Sequence, residues 1–220
     1  AISQWTAKMK PDEFQRLGTG QLFTNNIPSP LKVKIGNLSF DDTPIFQELN
    51  QFISDWFCSI EEMELKTSGS TATPKPITVK KDWMKNSARL TGRTFGLKKG
   101  DSALLCMPMK YVAGKMMVVR ALELELDLKV VEPCSNPLKN INEPINFAAM
   151  VPLQLENSLK DLAKVKKLIV GGGQVNSKLE EKRQSVSTHV YETYGMTETL
   201  THAAIKPLNG PSKSDVFRAL

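Results

Sequence analysis

The stretch "LKTSGSTATPKPITV", Leu65 to Val79, places small hydroxyl residues and one glycine ahead of Lys75, which lies between two prolines. Composition alone would make this stretch a flexible Ser/Thr/Pro linker. Against a linker, the stretch is short, and both flanks have the pattern of ordered structure. "EEMELK" precedes it, and a β-branched run followed by a periodic stretch comes after it.

A nucleotide P-loop is excluded by the residues around the lysine. The P-loop motif needs a second glycine directly before its lysine and a Ser or Thr directly after it. Here Pro74 precedes Lys75 and Pro76 follows it. Another type of phosphate-binding loop fits better, because small residues let backbone N–H groups approach an oxyanion while hydroxyls and a lysine add donors. From this stretch alone, the linker and the phosphate loop both remain open.

Length and composition indicate an ordinary globular protein. The chain has 220 residues, enough for one large or two small domains, and carries a net charge of +6. Its lysines are scattered rather than gathered into a stripe, so we expect no nucleic-acid partner. No run approaches membrane-spanning length and no signal peptide is visible, so we expect no membrane partner. The sequence does not indicate an oligomeric state.

The three cysteines show neither the spacing of a metal site nor the even number of a disulfide framework. Cys58, Cys106 and Cys134 are far apart in the chain. This usage is typical of a reducing cytoplasm, which is where we expect the protein.

Hydrophobic periodicity predicts an N-terminal segment, residues 1–63, with one amphipathic helix. Its first forty residues show only turn signals, and the helix falls in "TPIFQELNQFISDWFCSI", residues 43–60. The apolar residues there recur every three or four positions. They are Ile45, Phe46, Leu49, Phe52, Ile53, Trp56 and Phe57.

Strand and helix patterns alternate from residue 64 to the end of the chain. Strands are predicted within 77–79, 102–109, 127–133, 146–152, 167–173 and 188–195, and helices at 114–124, 158–165 and 175–185. Another helix, N-capped by Asp82, should carry one face made of Trp83, Ser87, Leu90, Thr91, Thr94 and Phe95. This alternation predicts an α/β sheet with ligands gathered at the strand ends.

Two further loops carry residues suited to a nucleotide. "KLIVGGGQV" ends a strand in Gly171, Gly172 and Gly173, which would let a ligand lie against the backbone. "YETYGMTET" offers an aromatic ring at Tyr194 and a carboxylate at Glu198. The ring could stack on a nucleobase, and the carboxylate could hold Mg²⁺ beside phosphates.

Four stretches in one order, "TSGSTATPK", "MPMKYVAGK", "IVGGGQV" and "YETYGMTET", resemble the adenylate-forming superfamily of acyl-CoA synthetases, luciferases and adenylation domains. Together they extend from about residue 66 to residue 202. Within the superfamily, "YGMTET" and "MPMKYVAGKMMVVRAL" are most similar to the o-succinylbenzoate–CoA ligases of menaquinone synthesis. The resemblance implies the α/β fold of the N-terminal domain of such enzymes, with residues 64–220 forming a truncated AMP-binding core.

The resemblance also implies a two-step reaction. A carboxylate attacks the α-phosphate of ATP to give an acyl-adenylate and pyrophosphate, and the thiol of CoA then displaces AMP. ATP, Mg²⁺, CoA and a small carboxylic acid are therefore the expected partners. No nucleophilic side chain is needed, so catalysis would depend on positioning and charge stabilisation.

Residue roles follow from the same resemblance. The expected catalytic residues are Lys75, Thr197 and Glu198, the last as the Mg²⁺ ligand. The expected nucleotide-binding residues are Thr67, Ser68, Gly69, Ser70, Thr71, Thr73, Lys75, Gly172, Gly173, Glu192, Thr193, Tyr194, Gly195 and Thr197. The acyl substrate is expected at Lys110, Tyr111, Gly114, Lys115 and Thr201, where a basic residue would suit a second carboxylate.

The sequence departs from the family pattern in several places. Ala72 stands where the phosphate loop usually has glycine, and Tyr111 stands where a histidine is common. The chain ends at Leu220, before the ribose-binding aspartate and the C-terminal domain with its lysine, so we expect the chain alone to be inactive. Alternatives are another acyl- or aryl-CoA ligase, an adenylation domain, or a nucleotide-binding fragment without catalysis.

Overall fold

The structure is a computed structural model that describes residues 14–17, 21–24, 33–35, 43–67, 75–175 and 187–220. The described strands are β1 (Phe14–Leu17), β2 (Gln21–Thr24), β3 (Val33–Ile35), β4 (Glu62–Lys66), β5 (Pro76–Lys80), β6 (Ser102–Leu105), β7 (Asp127–Val130), β8 (Ile145–Met150), β9 (Val165–Val170), β10 (His189–Gly195), β11 (His202–Pro207) and β12 (Arg218–Ala219). The described α-helices are α1 (Pro44–Phe57), α2 (Lys81–Phe95), α3 (Val112–Leu124) and α4 (Pro152–Asn157). Short 3₁₀ helices lie at Leu159–Lys164 and Thr197–Thr199.

Ten of the described strands form one sheet in the order β1-β2-β3-β7-β6-β8-β9-β10-β11-β12. Its six middle strands, β3 to β10 in that order, are parallel, and the strands at both edges are antiparallel. The hairpin β4–β5 makes a separate two-stranded sheet. This confirms the expected α/β fold, with helices flanking a largely parallel sheet.

The central strands are buried on both faces, and alternate residues feed two different cores. On β6, Ala103 and Leu105 pack with α1, α2 and α3, whereas Leu104 packs into the core on the opposite face. On β8, Phe147 and Ala148 divide in the same way. Such strands are read as continuous apolar runs because neither face meets water.

Helix α1 has the buried face that the periodicity predicts. Ile45, Phe46, Leu49, Phe52, Ile53 and Trp56 are all buried, and Phe57 is partly buried. Pro44 lies in the first turn, where its missing N–H group costs nothing. The packing of this face against the same core as α2 and α3 explains why the helix is stable within the fold.

The prediction for α2 was wrong in its start and in most of its face, of which only Thr91 and Phe95 are buried. The helix begins at Lys81, directly after β5, so Asp82 lies in the first turn and pairs with Lys85 instead of capping. Trp83 is 53% exposed, with the ammonium of Lys80 over its ring. The buried face consists of Lys81, Met84, Ala88, Thr91, Gly92 and Phe95. Because the helix starts directly after β5, the junction determines which residues of α2 face the core. The prediction placed Trp83 on the buried face, and the structure places it on the exposed one.

Smaller differences concern element ends. Strand β6 ends at Leu105 and strand β9 ends at Val170, so "CMPM" and the three glycines are loops that leave the sheet. The helix expected at 158–165 is a 3₁₀ helix preceded by α4. The first forty residues, which show only turn signals, contribute three strands. Most of the helix expected at 175–185 lies outside the described residues.

The division of the chain at residue 63 stays a prediction. Strand β3 pairs with β7 and α1 shares a core with α2, so residues on both sides of that position build the same sheet and core. In the part of the chain that the structure describes, no helix has the length and apolarity needed to cross a membrane.

Candidate active site

A cavity of about 600 Å³ opens at the carboxyl ends of the parallel strands. The segments that follow β6, β7, β8, β9 and β10 all contribute to its wall, because parallel strands end at the same edge of the sheet. The wall residues after these strands include Met107, Cys134, Val151, Gly171 and Met196. The cavity lies where the alternation of strands and helices predicts a ligand.

The predicted phosphate loop is the connection of the β4–β5 hairpin. Two hydrogen bonds between Thr67 and Lys75 close its base. The Thr67 N–H donates to the Lys75 carbonyl at 3.0 Å, and the Lys75 N–H donates to Thr67 Oγ1 at 3.0 Å. The preceding residue, Lys66, lines the cavity. Ser68, Gly69, Ser70, Thr71 and Thr73 lie outside the described residues, so their roles stay predictions.

The glycine segment after β9 forms one side of the cavity. Gly172 lines it with φ of +76°, a conformation that glycine adopts without strain. Gly173 follows beside Pro152 and is exposed. Gly171, which the resemblance does not assign, also lines the cavity.

Strand β10 sends alternate residues to opposite sides, as any strand does. Thr193 and Gly195 line the cavity, and so does Thr197 in the turn beyond the strand. Glu192 does not line it. Its carboxylate pairs with Lys206 Nζ at 2.7 Å and accepts the Val175 N–H at 3.1 Å, which ties the glycine segment to β10 and β11.

Tyr194 and Glu198 are exposed and do not line the cavity, although their neighbours Gly195 and Thr197 do. Tyr194 is 60% exposed and meets the ring of Phe217 edge-on, with 6.2 Å between the ring centroids. Glu198 lies in the short 3₁₀ turn beside Thr197. Mg²⁺ commonly keeps several waters and takes one or two carboxylates plus substrate phosphates, so one exposed carboxylate is a chemically suitable donor.

Four of the five residues assigned to the acyl substrate fall into two groups, and the fifth, Gly114, lines neither cavity. Tyr111 and Thr201 line the cavity. Lys110 and Lys115 instead face a second cavity, between α1, β4 and the start of α3. Burial lowers the pKa of Lys115, whose ammonium lies near the Glu64 carbonyl.

Two glycines are required by close backbone approaches around the cavity. A Cβ atom on Gly114 would lie 2.5 Å from the Pro108 carbonyl oxygen, so glycine lets the start of α3 pack on the loop after β6. A Cβ atom on Gly195 would lie 2.0 Å from the Thr201 carbonyl oxygen, where β10 passes the start of β11. Neither contact can be relieved by a side-chain rotation.

Arg120 is the functional candidate that sequence reasoning missed. It lies in α3, is 1% exposed, and lines the cavity. Its Nε donates to Thr91 Oγ1 at 3.3 Å and its Nη2 to Thr201 Oγ1 at 2.6 Å. Among the described residues it has no ion-pair partner. Its signal in the sequence is a single charge within the apolar run "MMVVRAL".

The electrostatics of Arg120 are those of a site for an anion. Burial lowers its pKa to about 10, so the guanidinium is still charged at neutral pH. A buried charge without a counter-charge is costly, and an anionic ligand in the cavity would relieve that cost. The neighbouring ring of His202 is neutral, since burial and then the charge of Arg120 lower its pKa to about 3.

Comparison with known proteins identifies the family. The model of the AMP-binding enzyme family matches residues 66–216, which contain the hairpin loop, the glycine segment and the turn after β10. The chain belongs to this family.

Relatives of this AMP-binding chain include ligases that act on 2-succinylbenzoate. The 2-succinylbenzoate–CoA ligase of Lactococcus lactis is 28% identical over 163 residues, which are 71% of this chain and 36% of that protein. The chain thus spans about a third of the length of this curated relative.

Two solved structures illustrate the shared fold. An acyl-CoA synthetase (AMP-forming)/AMP-acid ligase II-like protein from Dyadobacter fermentans has a TM-score of 0.76 and 39% identity, over 83% of this chain and 54% of that one. The o-succinylbenzoate–coenzyme A synthetase of Bacillus subtilis, in complex with ATP and magnesium ion, has a TM-score of 0.60 over 66% of this chain and 32% of that one. At 19% identity the second likeness supports the fold alone.

The tight packing at Gly195 gives a stability prediction. We expect Gly195→Ala to lower the free energy of unfolding by about 1–3 kcal/mol, because β10 and β11 must separate to admit the methyl group. Gly173→Ala is the matched control, since its Cβ would meet only Pro152 at an ordinary 3.5 Å. Urea unfolding of both variants checks this, and equal midpoints for the two would contradict it.

Proposed function

We propose that this chain provides the acid- and nucleotide-binding part of a ligase that joins 2-succinylbenzoate to CoA, with ATP cleaved to AMP and pyrophosphate. The observation that carries the proposal is the buried guanidinium of Arg120 in the wall of the strand-end cavity. Because the chain matches about a third of its curated relative, the activity is proposed for the complete protein that contains it.

The position of Arg120 supports the proposal that the substrate acid has two carboxylates. One carboxylate must react with ATP, so a guanidinium set inside the cavity is suited to a second one that does not react. Guanidinium and carboxylate groups form paired, charge-assisted hydrogen bonds, which are stronger than neutral ones. Lys110 and Lys115, the cations expected for this role, face the other cavity.

The remaining wall suits an aromatic ring between the two carboxylates. The cavity wall that contains Arg120 also has apolar surface from Met107, Val112, Ala149 and Ile169, and ligand cavities commonly combine such surface with a few polar groups. 2-Succinylbenzoate has this composition: an aromatic ring with two acidic arms. The name of the Lactococcus lactis relative supports the same substrate.

The mechanism assigns separate tasks to the residues around the cavity. Thr67, Lys75 and the loop between them would hold the β- and γ-phosphates, and the turn at Thr197 would contact the α-phosphate. The acid, held at Arg120, would be directed in line with the bond to pyrophosphate, so catalysis is largely orientation and charge stabilisation. Mg²⁺, when bound at Glu198 and the phosphates, would supply further positive charge.

Tyr194 and Gly172 would enclose the adenine. The exposed ring of Tyr194 leaves a face open for stacking, and the backbone of Gly172 presents no side chain to the cavity. Glu192 would act indirectly, by fixing the glycine segment through Val175. ATP and CoA as substrates place the proposed reaction in the cytoplasm.

Substrate discrimination tests the role of Arg120. We expect Arg120→Met to lower kcat/KM for 2-succinylbenzoate by about a hundredfold, which corresponds to the loss of a charge-assisted contact of about 2–4 kcal/mol. The better of two mono-acids, 3-benzoylpropanoate and 2-butanoylbenzoate, should be used as well as before.

The readout is pyrophosphate release by the complete protein, with Arg93→Met as the control for loss of an exposed arginine. An unchanged preference for the dicarboxylate in Arg120→Met would remove the main support for the proposal. A preference that is lost in Lys110→Met instead would transfer the role to the other cavity.

Lys75 tests the phosphate loop separately. Its charge should matter most as pyrophosphate leaves, so Lys75→Ala is expected to slow pyrophosphate release by on the order of a hundredfold. The melting temperature should barely change, since the side chain is exposed. Lys160→Ala, another exposed lysine, is the control. Unchanged release at unchanged stability would make the hairpin connection a linker.

A further inference from the structure

Four polar side chains form a cluster in the wall of the cavity, and three of them, Arg120, Thr201 and His202, line it directly. Arg120 comes from α3, Thr91 from α2, His202 from the start of β11, and Thr201 from the position just before that strand. Arg120, Thr91 and His202 are each less than a tenth exposed. The hydroxyl oxygens lie between the guanidinium and the imidazole, so the arginine and the histidine interact through them.

The hydrogen-bond partners of Thr91 indicate which tautomer His202 adopts. The Thr91 hydroxyl donates its only proton to the Ser87 carbonyl at 3.0 Å. Its oxygen must therefore accept from both of its other neighbours, Arg120 Nε at 3.3 Å and His202 Nε2 at 3.4 Å. His202 then carries a proton on Nε2.

The same reasoning orients Thr201. In the neutral ring of His202, Nδ1 has no proton and accepts from the Thr201 hydroxyl at 3.1 Å. The Thr201 oxygen in turn accepts from Arg120 Nη2 at 2.6 Å. Every polar hydrogen of the two threonines and the histidine has one acceptor, so the cluster has a single consistent arrangement.

This arrangement leaves one edge of the guanidinium for a ligand. Of its five N–H groups, Nε–H and one on Nη2 are used by Thr91 and Thr201. The second N–H of Nη2 and both on Nη1 have no partner among the described residues, and Arg120 lines the cavity. The free groups span the two terminal nitrogens, the edge that binds a carboxylate through two parallel hydrogen bonds.

We propose that Thr91 and His202 are positioning residues that hold Arg120 for the carboxylate of the acyl substrate that is not activated. This inference rests on the proposed function. Thr91 and Thr201 bind the guanidinium through neutral hydroxyl groups, and His202 contacts both hydroxyls, so the orientation of the guanidinium is fixed while its charge remains uncompensated. A carboxylate at either position would pair with Arg120 and occupy the anion site, and a cation would repel it.

We therefore expect the side chain at position 202 to influence the preference for dicarboxylates over mono-acids. His202 offers a donor and an acceptor in one neutral, rigid ring, so it serves both threonines at once. Holding the arginine in its binding orientation before the substrate arrives lowers the entropy cost of binding. Loss of this support should weaken binding of the dicarboxylate and leave the reaction with ATP unaffected.

The test separates KM from kcat in the complete protein. Thr91→Val keeps the shape of the side chain and removes its hydroxyl, and we expect KM for 2-succinylbenzoate to rise about tenfold, with kcat and the KM for ATP unchanged. Mono-acids should keep their wild-type KM. Thr91→Ser restores the hydroxyl and should restore the KM for the dicarboxylate.

Two histidine variants complete the test. His202→Gln, which retains a donor and an acceptor, should come closer to wild type than His202→Leu, and His202→Glu should abolish the preference for the dicarboxylate over the mono-acids. Equal losses on all acids in Thr91→Val, without rescue by serine, would reduce the cluster to a structural role and overturn the inference.

The inference and the proposed function fail in different ways. If Arg120→Met removes the preference for the dicarboxylate and neither Thr91→Val nor His202→Glu changes it, the positioning role is wrong and the proposed function stands. If Arg120→Met also leaves the preference intact, the proposed function fails with it.

Discussion

A guanidinium that is buried without a carboxylate partner among the described residues is the constraint on which the proposed acyl site depends. Burying a charge costs several kcal/mol even after relaxation, and proteins usually offset that cost with an opposite charge. Here Arg120 is offset by two hydroxyl oxygens within the described part of the chain. We propose that this uncompensated charge makes the cavity selective, because an anion that enters it would pair with a guanidinium that has no counter-charge among the described residues.

The parallel sheet brings the rest of the site to the same edge. Its central strands are buried on both faces, so their side chains fill two cores. The loops at the carboxyl ends of the strands are therefore the part of the sheet that can form a ligand site. Close backbone approaches at Gly114 and Gly195 let those loops meet around one cavity. The ion pair of Glu192 with Lys206 then holds the glycine segment against the sheet without entering the cavity.

The sequence predicted those features that depend on local patterns. The periodicity of α1 identified its buried residues, and the alternation of strands and helices gave the fold class. The four ordered loop motifs led to the AMP-binding family, and Thr193, Gly195 and Thr197 do line the cavity.

What the sequence missed depends on tertiary packing. The stripe of α2 faces inward at Met84 and Ala88 because the helix continues directly from β5, which no single-helix pattern reveals. Lys110 and Lys115 are close in sequence to the loop after β6, which lines the strand-end cavity, but they face the other cavity. Arg120 lies about one and a half helical turns beyond Lys115, within an apolar run in which a single charge looks like an interruption. Its partner Thr91 comes from a different helix, a contact that only the fold creates.

The most direct measurement is a crystal structure of the complete protein with a non-hydrolysable sulfamoyl analogue of the 2-succinylbenzoyl adenylate. We expect the free carboxylate of the ligand within hydrogen-bonding distance of the terminal nitrogens of Arg120, with Thr91 and Thr201 still bound to the other side of the guanidinium. The adenine should lie between Tyr194 and Gly172. A free carboxylate that points to solvent, or toward Lys110 and Lys115, would contradict the account.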